Sequence, residues 1–341
     1  MNTDTSYASN NIPIVFAVDN NYVPYMSAMM QSVMENANSD RHYCFIILYQ
    51  DITELNQKLI NEQIDTFKHF SIEFINVSDY FNSINLHTSR HVTVETYFRL
   101  LIPYLLADYD KVIYLDADMI CCADISPLFD IDLENYLLAA VWDTDIARYY
   151  CSEDAEYIRS WHSVMPALKN PAAYFNGGLI VFNTKQFRQT ISQDELFTLA
   201  ASRKWNVHDQ DILNYLCDSK THLLHYHWNV MNSPRSACLP ENLLQEFNDA
   251  LKQPKIIHYK PWEREYYIPH FEYFWKYACR TPFINTIIED MKQREFINNN
   301  STKERFISGI IKRKGIGLKF ILVDCLKAWL FRTKPIKAEK A

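Results

Sequence analysis

The sequence predicts an α/β protein built on a sheet that is mostly parallel in its N-terminal half. Three observations carry that expectation. Short apolar runs alternate with segments of helical period along most of the 341 residues. One such run, Val112-Ile-Tyr-Leu115, stops at Asp116-Ala117-Asp118. Open α/β sheets place their ligands beyond the carboxyl ends of the strands, where such acids belong. Glycine is also scarce. Only Gly177 and Gly178 occur before residue 300, so phosphate loops of the dinucleotide or P-loop type, which need several glycines in one turn, are excluded.

Residues 12–18 read as a buried first strand ending at Asp19, and 24–37 as a helix opening on Pro24. Residues 43–49 form a second strand, 53–68 a helix, and 71–77 an alternating third strand. Residues 93–106 read as helical, and 111–115 as the strand before the acid pair. Further strands are expected at 137–142 and 178–183, and helices at 193–203 and 208–217. The glycine pair marks a position of positive φ or close approach, with a tight turn as the alternative.

A hydrophobic share of 48% supports a sizeable core, and the net charge of −7 gives no case for nucleic-acid binding. That charge is unevenly spread. Residues 301–341 hold eleven Lys/Arg and three Asp/Glu, leaving the tail at +8 and the first 300 residues at −15. Within the tail, Ile316–Phe331 has apolar residues at helical spacing with Trp329 near its end. The expectation is a helix lying in the interface of an anionic bilayer, and the alternative is a packed terminal helix with a solvated basic face. The Asn298-Asn-Asn-Ser-Thr302 cluster reads as linker. The expected organisation is a catalytic domain over 1–285, a linker over 286–300 and the basic tail over 301–341. Eight cysteines show no Cys-x-x-Cys spacing, and no signal peptide is apparent. The expected location is therefore cytoplasmic, peripheral on the inner face of the plasma membrane.

Two carboxylates one residue apart beyond a strand make a hard oxygen site for Mg²⁺ or Mn²⁺, the usual companions of a nucleotide diphosphate. Other polar groups also stand at the ends of apolar runs: Asp19 with Asn21 and Tyr22, Asn176 before the glycines, Asp209-Gln210 opening a helix, and His258 after Lys255-Ile-Ile. Arg99 lies in Tyr97-Phe-Arg-Leu100. These groups converge if the strand ends share one edge of the sheet.

The chain resembles glycosyltransferase family 8, which includes bacterial lipopolysaccharide galactosyl- and glucosyltransferases and glycogenin. The resemblance covers about residues 12–285. It rests on Phe16-Ala-Val-Asp-Asn-Asn-Tyr22, Tyr97-Phe-Arg-Leu100, Tyr114-Leu-Asp-Ala-Asp118, Phe175-Asn-Gly-Gly178, Asp209-Gln-Asp211 and His258 with Lys260-Pro-Trp262, in that order. It implies a GT-A fold, a single mixed sheet flanked by helices, and transfer of a hexose from a UDP-sugar with retention. The implied cofactor is Mn²⁺, with Mg²⁺ possible, held by Asp116, Asp118 and His258. Ala17, Asp19, Asn21, Tyr22, Arg99, Asp116, Ala117, Asn176, Gly177, Gly178, Asp209, Gln210 and Lys260 are implied to bind the donor. Asp209 and Gln210 are implied to act beside the anomeric carbon. The implied acceptor is a lipopolysaccharide, another cell-surface glycan or a lipid-linked oligosaccharide. The His258-Tyr259-Lys260 segment is shorter than in the family and lacks its glycine. Two other readings stand beside this one. A nucleotidyltransferase also uses paired carboxylates, but the glycine census opposes its triphosphate loop. A non-catalytic sugar-nucleotide-binding protein on the same fold is opposed by the intact acids and histidine.

Overall fold

The computed structural model describes residues 11–81, 94–146, 168–231, 239, 241–259 and 270–291. Among the described residues, ten strands form two sheets. The first strands are β1 (Asn11–Ala17), β2 (His42–Tyr49), β3 (Phe70–Asn76) and β4 (Val112–Leu115). They continue with β5 (Met119–Cys121), β6 (Leu138–Trp142), β7 (Phe175–Phe182), β8 (Thr221–Leu224), β9 (Val230–Met231) and β10 (Ile256–His258). The large sheet runs β3-β2-β1-β4-β7-β6-β8. Its N-terminal half is parallel: β1 pairs with β2 and β4, and β2 with β3. β7 is antiparallel to both β4 and β6, which makes the sheet mixed.

The strands are spelled as their places require. β1 lies inside the sheet, and Ile12, Ile14, Val15 and Phe16 are buried on both faces. Pro13 is tolerated because β4 takes up only Ile14 and Val15. β3 is an edge strand and alternates between half-buried and exposed residues. The helix Val23–Asn36 opens beside Pro24 and buries every residue from Val23 through Met34. It fills the layer between the large sheet and the helices Phe271–Ala278 and Ile284–Met291, to which Asn36 Nδ2 donates through the Tyr277 hydroxyl at 2.9 Å. The helix Glu54–Ile64 is capped by Thr53, whose Oγ1 accepts from Asn56 N at 3.3 Å.

Two expectations change, and two features are added. Residues Val94–Leu101 form a 3₁₀ segment followed by a single helical turn, Ile102–Leu105, rather than one helix. Pro103 lacks the N–H that a continuous α-helix would direct at the Arg99 carbonyl. β7 begins at Phe175, so Asn176, Gly177 and Gly178 are strand residues and not a turn before one. The structure adds to the single sheet a second, three-stranded one, ordered β5-β10-β9. The helix Ile284–Met291, with Ile287 buried, carries the folded body into the 286–300 segment read as linker. Lys260 and the tail 301–341 lie outside the described residues. Among the described residues, no helix is long and apolar enough to cross a membrane.

Candidate active site

The second sheet builds the centre. β5 starts directly after Asp118, and β10 runs antiparallel to it with His258 opposite Met119. Tyr259 N donates to the Asp118 carbonyl at 2.9 Å, which extends the pairing to the acid. On the other side, Asp116 N donates to Gly178 O at 2.8 Å, continuing the β4–β7 ladder. His258 Nε2 therefore lies 3.3 Å from Asp118 Oδ1 and 3.8 Å from Asp116 Oδ2. One ligand atom from each of the three residues falls within 4.8 Å of the others, a spacing at which three donors share one cation. Burial alone would lower the pKa of His258, but Asp118 and Asp116 outweigh it and hold the ring above its ordinary value.

Arg99 is the buried counter-charge. Its Nη2 lies 3.1 Å from Asp116 Oδ1 and its Nε 2.7 Å from Asp209 Oδ2, and Nη1 donates to the Gly177 carbonyl. Burial opposes the guanidinium charge, yet Asp116 and Asp209 more than offset it, so the group stays protonated. The Nε–H itself points at the Thr96 carbonyl, 3.1 Å away. The Asp209 contact is thus ionic rather than a hydrogen bond, and Asp209 Oδ2 keeps an unused acceptor site among the described residues. Thr96 Oγ1 donates to Asp209 Oδ1 at 2.6 Å. Burial raises the Asp209 carboxyl above its usual range against the pull of Arg99 and Thr96. Tyr114, beneath the guanidinium at 4.5 Å, donates its hydroxyl to Asp116 Oδ1 at 2.7 Å.

The glycine pair supplies close approach, with no positive φ at either residue. A Cβ on Gly177 would lie 2.9 Å from Arg99 Nη1, and one on Gly178 would lie 2.4 Å from His258 Cε1. Side chains alternate across a strand, so the two missing side chains make room for Arg99 on one face of β7 and His258 on the other. Gln210, in the first turn of the helix His208–Leu216, accepts from Gly177 N at 2.8 Å. Its Nε2 donates to Asp143 Oδ2 and the Tyr174 hydroxyl, both at 3.3 Å. His208, just before Asp209, has φ 46, a left-handed value strained for a residue with a side chain.

Of the residues singled out in the sequence, Arg99, Asp116, Asp118, Asn176, Gly177, Gly178, Asp209, Gln210 and His258 meet in this one region. Ala117 is buried between the two acids. Ala17 ends β1, and Asp19 follows it with Oδ1 accepting from Tyr22 N at 2.8 Å and Oδ2 from Asn21 Nδ2 at 3.2 Å. Sequence reading missed Asp143, Asn229, Thr96 and Tyr114. Tyr114 and Thr96 stood inside quoted or adjoining motifs. Asp143 follows strand β6 as Asp116 follows β4, which was the available signal. Asn229 carries none.

The family description "Glycosyl transferase family 8" matches residues 13–265. General stress protein A of Bacillus subtilis is 26% identical over 287 residues, covering 80% of this chain and 95% of that protein. A lipopolysaccharide 1,2-glucosyltransferase of Escherichia coli K12 is 25% identical over 231 residues, covering 63% of this chain and 64% of the enzyme. Among solved structures, the bifunctional glycosyltransferase WbbM aligns with a TM-score of 0.71 at 28% identity, over 82% of this chain. The chain spans only 51% of that longer protein. The galactosyltransferase LgtC, solved with donor and acceptor sugar analogues, aligns at 0.65 with 26% identity, over 83% of this chain and all of that one. The architecture is the GT-A fold of these glycosyltransferases.

Proposed function

The chain belongs to glycosyl transferase family 8, and from that premise we propose that it is a metal-dependent, retaining hexosyltransferase. It moves galactose or glucose from a UDP-sugar to a glycan, a lipopolysaccharide or another cell-surface acceptor. The observation that carries the reading is the meeting of Asp116, Asp118 and His258 directly beside the Arg99–Asp209 pair. Two carboxylates and an imidazole make a mixed donor set that suits Mn²⁺ better than Mg²⁺, which prefers oxygen. Bound there, the ion supplies charge neutralisation to the departing diphosphate.

The remaining roles fall to the chain's own groups. Tyr22 stacks on the uracil and Asp19 accepts from its N–H, with Asn21 and the Ala17 end of β1 completing the nucleoside site. Arg99 holds Asp116 and Asp209 apart and ready. Asn176 and the Gly177-Gly178 backbone line the sugar, and Asp209 Oδ2, with its unused acceptor site, takes a sugar hydroxyl. Lys260 meets the diphosphate as a point charge. A double displacement needs an available nucleophile at the anomeric carbon. Asp209 is held against the Arg99 charge, which leaves its oxygen able to accept a hydrogen bond but makes it a poor nucleophile, and Gln210 Oε1 is engaged by Gly177 N–H. Both facts favour front-face attack. The acceptor oxygen bonds to the anomeric carbon as the bond to UDP breaks on the same face. The hydroxyl proton passes to the leaving phosphate oxygen.

The test is a screen of UDP-hexoses with and without Mn²⁺, read as released UDP. We expect one hexose to be turned over and EDTA to stop it. No Mn²⁺-dependent release from any UDP-hexose overturns the reading. The basic tail is proposed to attach the protein to an anionic membrane surface that carries the acceptor. Each basic residue near such a surface contributes about 1 kcal/mol, screened by salt. Full-length protein is expected to sediment with phosphatidylserine vesicles at low salt and leave them at high salt. Equal sedimentation with neutral vesicles rejects the attachment.

A further inference from the structure

Asn229 has 1% of its surface exposed and stands just before β9, whose parallel pairing with β10 carries it alongside His258. Its Oδ1 lies 3.0 Å from His258 Nδ1, and its Nδ2 donates to Asn176 Oδ1 at 2.9 Å. Asn176 in turn accepts from Gly178 N at 2.9 Å and donates through Nδ2 to Asp143 Oδ2 at 3.0 Å.

Both anchors of this chain have only one possible role. A backbone N–H only donates, so Gly178 N fixes Asn176 Oδ1 as the oxygen. A carboxylate only accepts, and Asp143 is pinned in that role by Asp145 N and Ile146 N, which donate to its Oδ1 at 3.0 and 3.1 Å. The Asn176 amide is thus oriented at both ends. Asn229 must offer its NH₂ to Asn176 and turn its oxygen to His258. An amide oxygen only accepts, so His258 Nδ1 must carry the hydrogen. The neutral ring then has its lone pair on Nε2, facing Asp118 and Asp116. Turning the Asn229 amide over would set two oxygens face to face in a buried site.

We propose that Asn229 is a positioning residue that locks His258 in the Nδ1–H tautomer and ties its ring to Asn176, coupling cation binding to donor binding. Two buried hydrogen bonds from one amide carry both functions. A lone pair held against two carboxylates calls for a cation between them, so the polar chain writes the demand for a metal into the folded protein. The second hydrogen bond makes Asn176, the residue proposed to line the sugar, respond to the same asparagine. The inference rests on the metal site proposed above, and the experiment separates the two.

The full-length protein is compared with Asn229→Leu, Asn229→Asp and Asp118→Ala. Three properties are read: Mn²⁺ affinity by electron paramagnetic resonance of the free ion, donor KM and kcat, and the ¹⁵N imidazole signals of the metal-free protein. Asn229→Leu removes both hydrogen bonds, and Mn²⁺ Kd is expected to rise about 10–100-fold. The ¹⁵N signal of His258, assigned by its loss in His258→Gln, is expected to leave the Nδ1–H position. Asn229→Asp keeps an acceptor for Nδ1–H and loses the donor to Asn176. Its Mn²⁺ Kd should stay within about threefold of the parent, while donor KM rises about tenfold with a smaller change in kcat. A Mn²⁺ titration of folded Asn229→Leu that overlays the parent, with Asp118→Ala unable to bind, overturns this inference and leaves the metal site standing. Unchanged Mn²⁺ binding by Asp118→Ala overturns the metal site and this inference with it. Should Asn229→Leu fail to fold, Asn229→Asp decides: an unchanged donor KM, or a parent ¹⁵N signal outside the Nδ1–H position, rejects the proposal.

Discussion

At the end of β1, Asp19 spends its two oxygens on Tyr22 N and Asn21 Nδ2, within its own turn. At the end of β4, Asp116 and Asp118 face a histidine that is distant in sequence, and Asp116 also meets a buried arginine. Both are acids placed beyond strand ends. The first is satisfied locally and half exposed, so it keeps its shape whether or not a ligand is present. The second gathers negative charge with Asp209 around Arg99, the one permanent cation there among the described residues, and among those residues its charge is not balanced. Local satisfaction suits the neutral base proposed for the first site, and unbalanced charge suits the cation proposed for the second.

The largest effect expected is at the unbalanced site. Asp118→Ala should lower turnover at least about 100-fold, several kcal/mol of lost charge stabilisation, with an unchanged circular dichroism spectrum. A folded variant with near-parent activity removes the distinction between the two acid sites. Arg99→Ala should be the costliest change for the fold, about 3–5 kcal/mol by urea unfolding, because it strands Asp209 and Asp116 beside each other. A loss below about 1 kcal/mol would place Arg99 among ordinary surface ion pairs.

Gly178→Ala and Gly177→Ala sharpen the comparison between the two faces of β7. A methyl at Gly178 meets the His258 ring, whereas one at Gly177 meets the end of a longer side chain. Gly178→Ala is expected to weaken Mn²⁺ binding about tenfold, and Gly177→Ala much less. Equal effects would mean that the pair serves the backbone rather than the two side chains.

The pH dependence has opposite signs with and without metal. Because the folded pKa of His258 is raised above 6.5, its protonated ring stabilises the metal-free fold below that value. That contribution is lost as the pH rises through the folded pKa. Only neutral imidazole coordinates, so the gain in Tm on adding Mn²⁺ should grow from about pH 6 to about pH 8. His258→Gln should flatten that trend, and a parent trend of the opposite slope would separate His258 from the metal. The satisfied site is expected to respond separately from the metal. Tyr22→Ala should weaken UDP binding by about 1–3 kcal/mol, the value of stacking one base, and leave the Mn²⁺ titration of the free protein unchanged.

The strand and helix order of the N-terminal half is legible in the sequence, because burial on both faces of β1, β2 and β4 demands unbroken apolar runs that are visible one residue at a time. The acid pair is legible too, since two carboxylates after such a run have few structural uses. The sequence shows that the adjacent glycines mark a constrained place, but not whether a turn or a close approach sets the constraint. The folded chain settles it, because the constraint comes from Arg99 and His258, neither of which is near the glycines in sequence. Asn229 was invisible for the same reason. An asparagine between Trp228 and Val230 has no local pattern, and its meaning arises when β9 and β10 pair and bring it against His258. Strand runs are encoded by short-range burial, whereas the orientation of a ring and an amide is fixed by hydrogen bonds between segments that meet only in the folded chain.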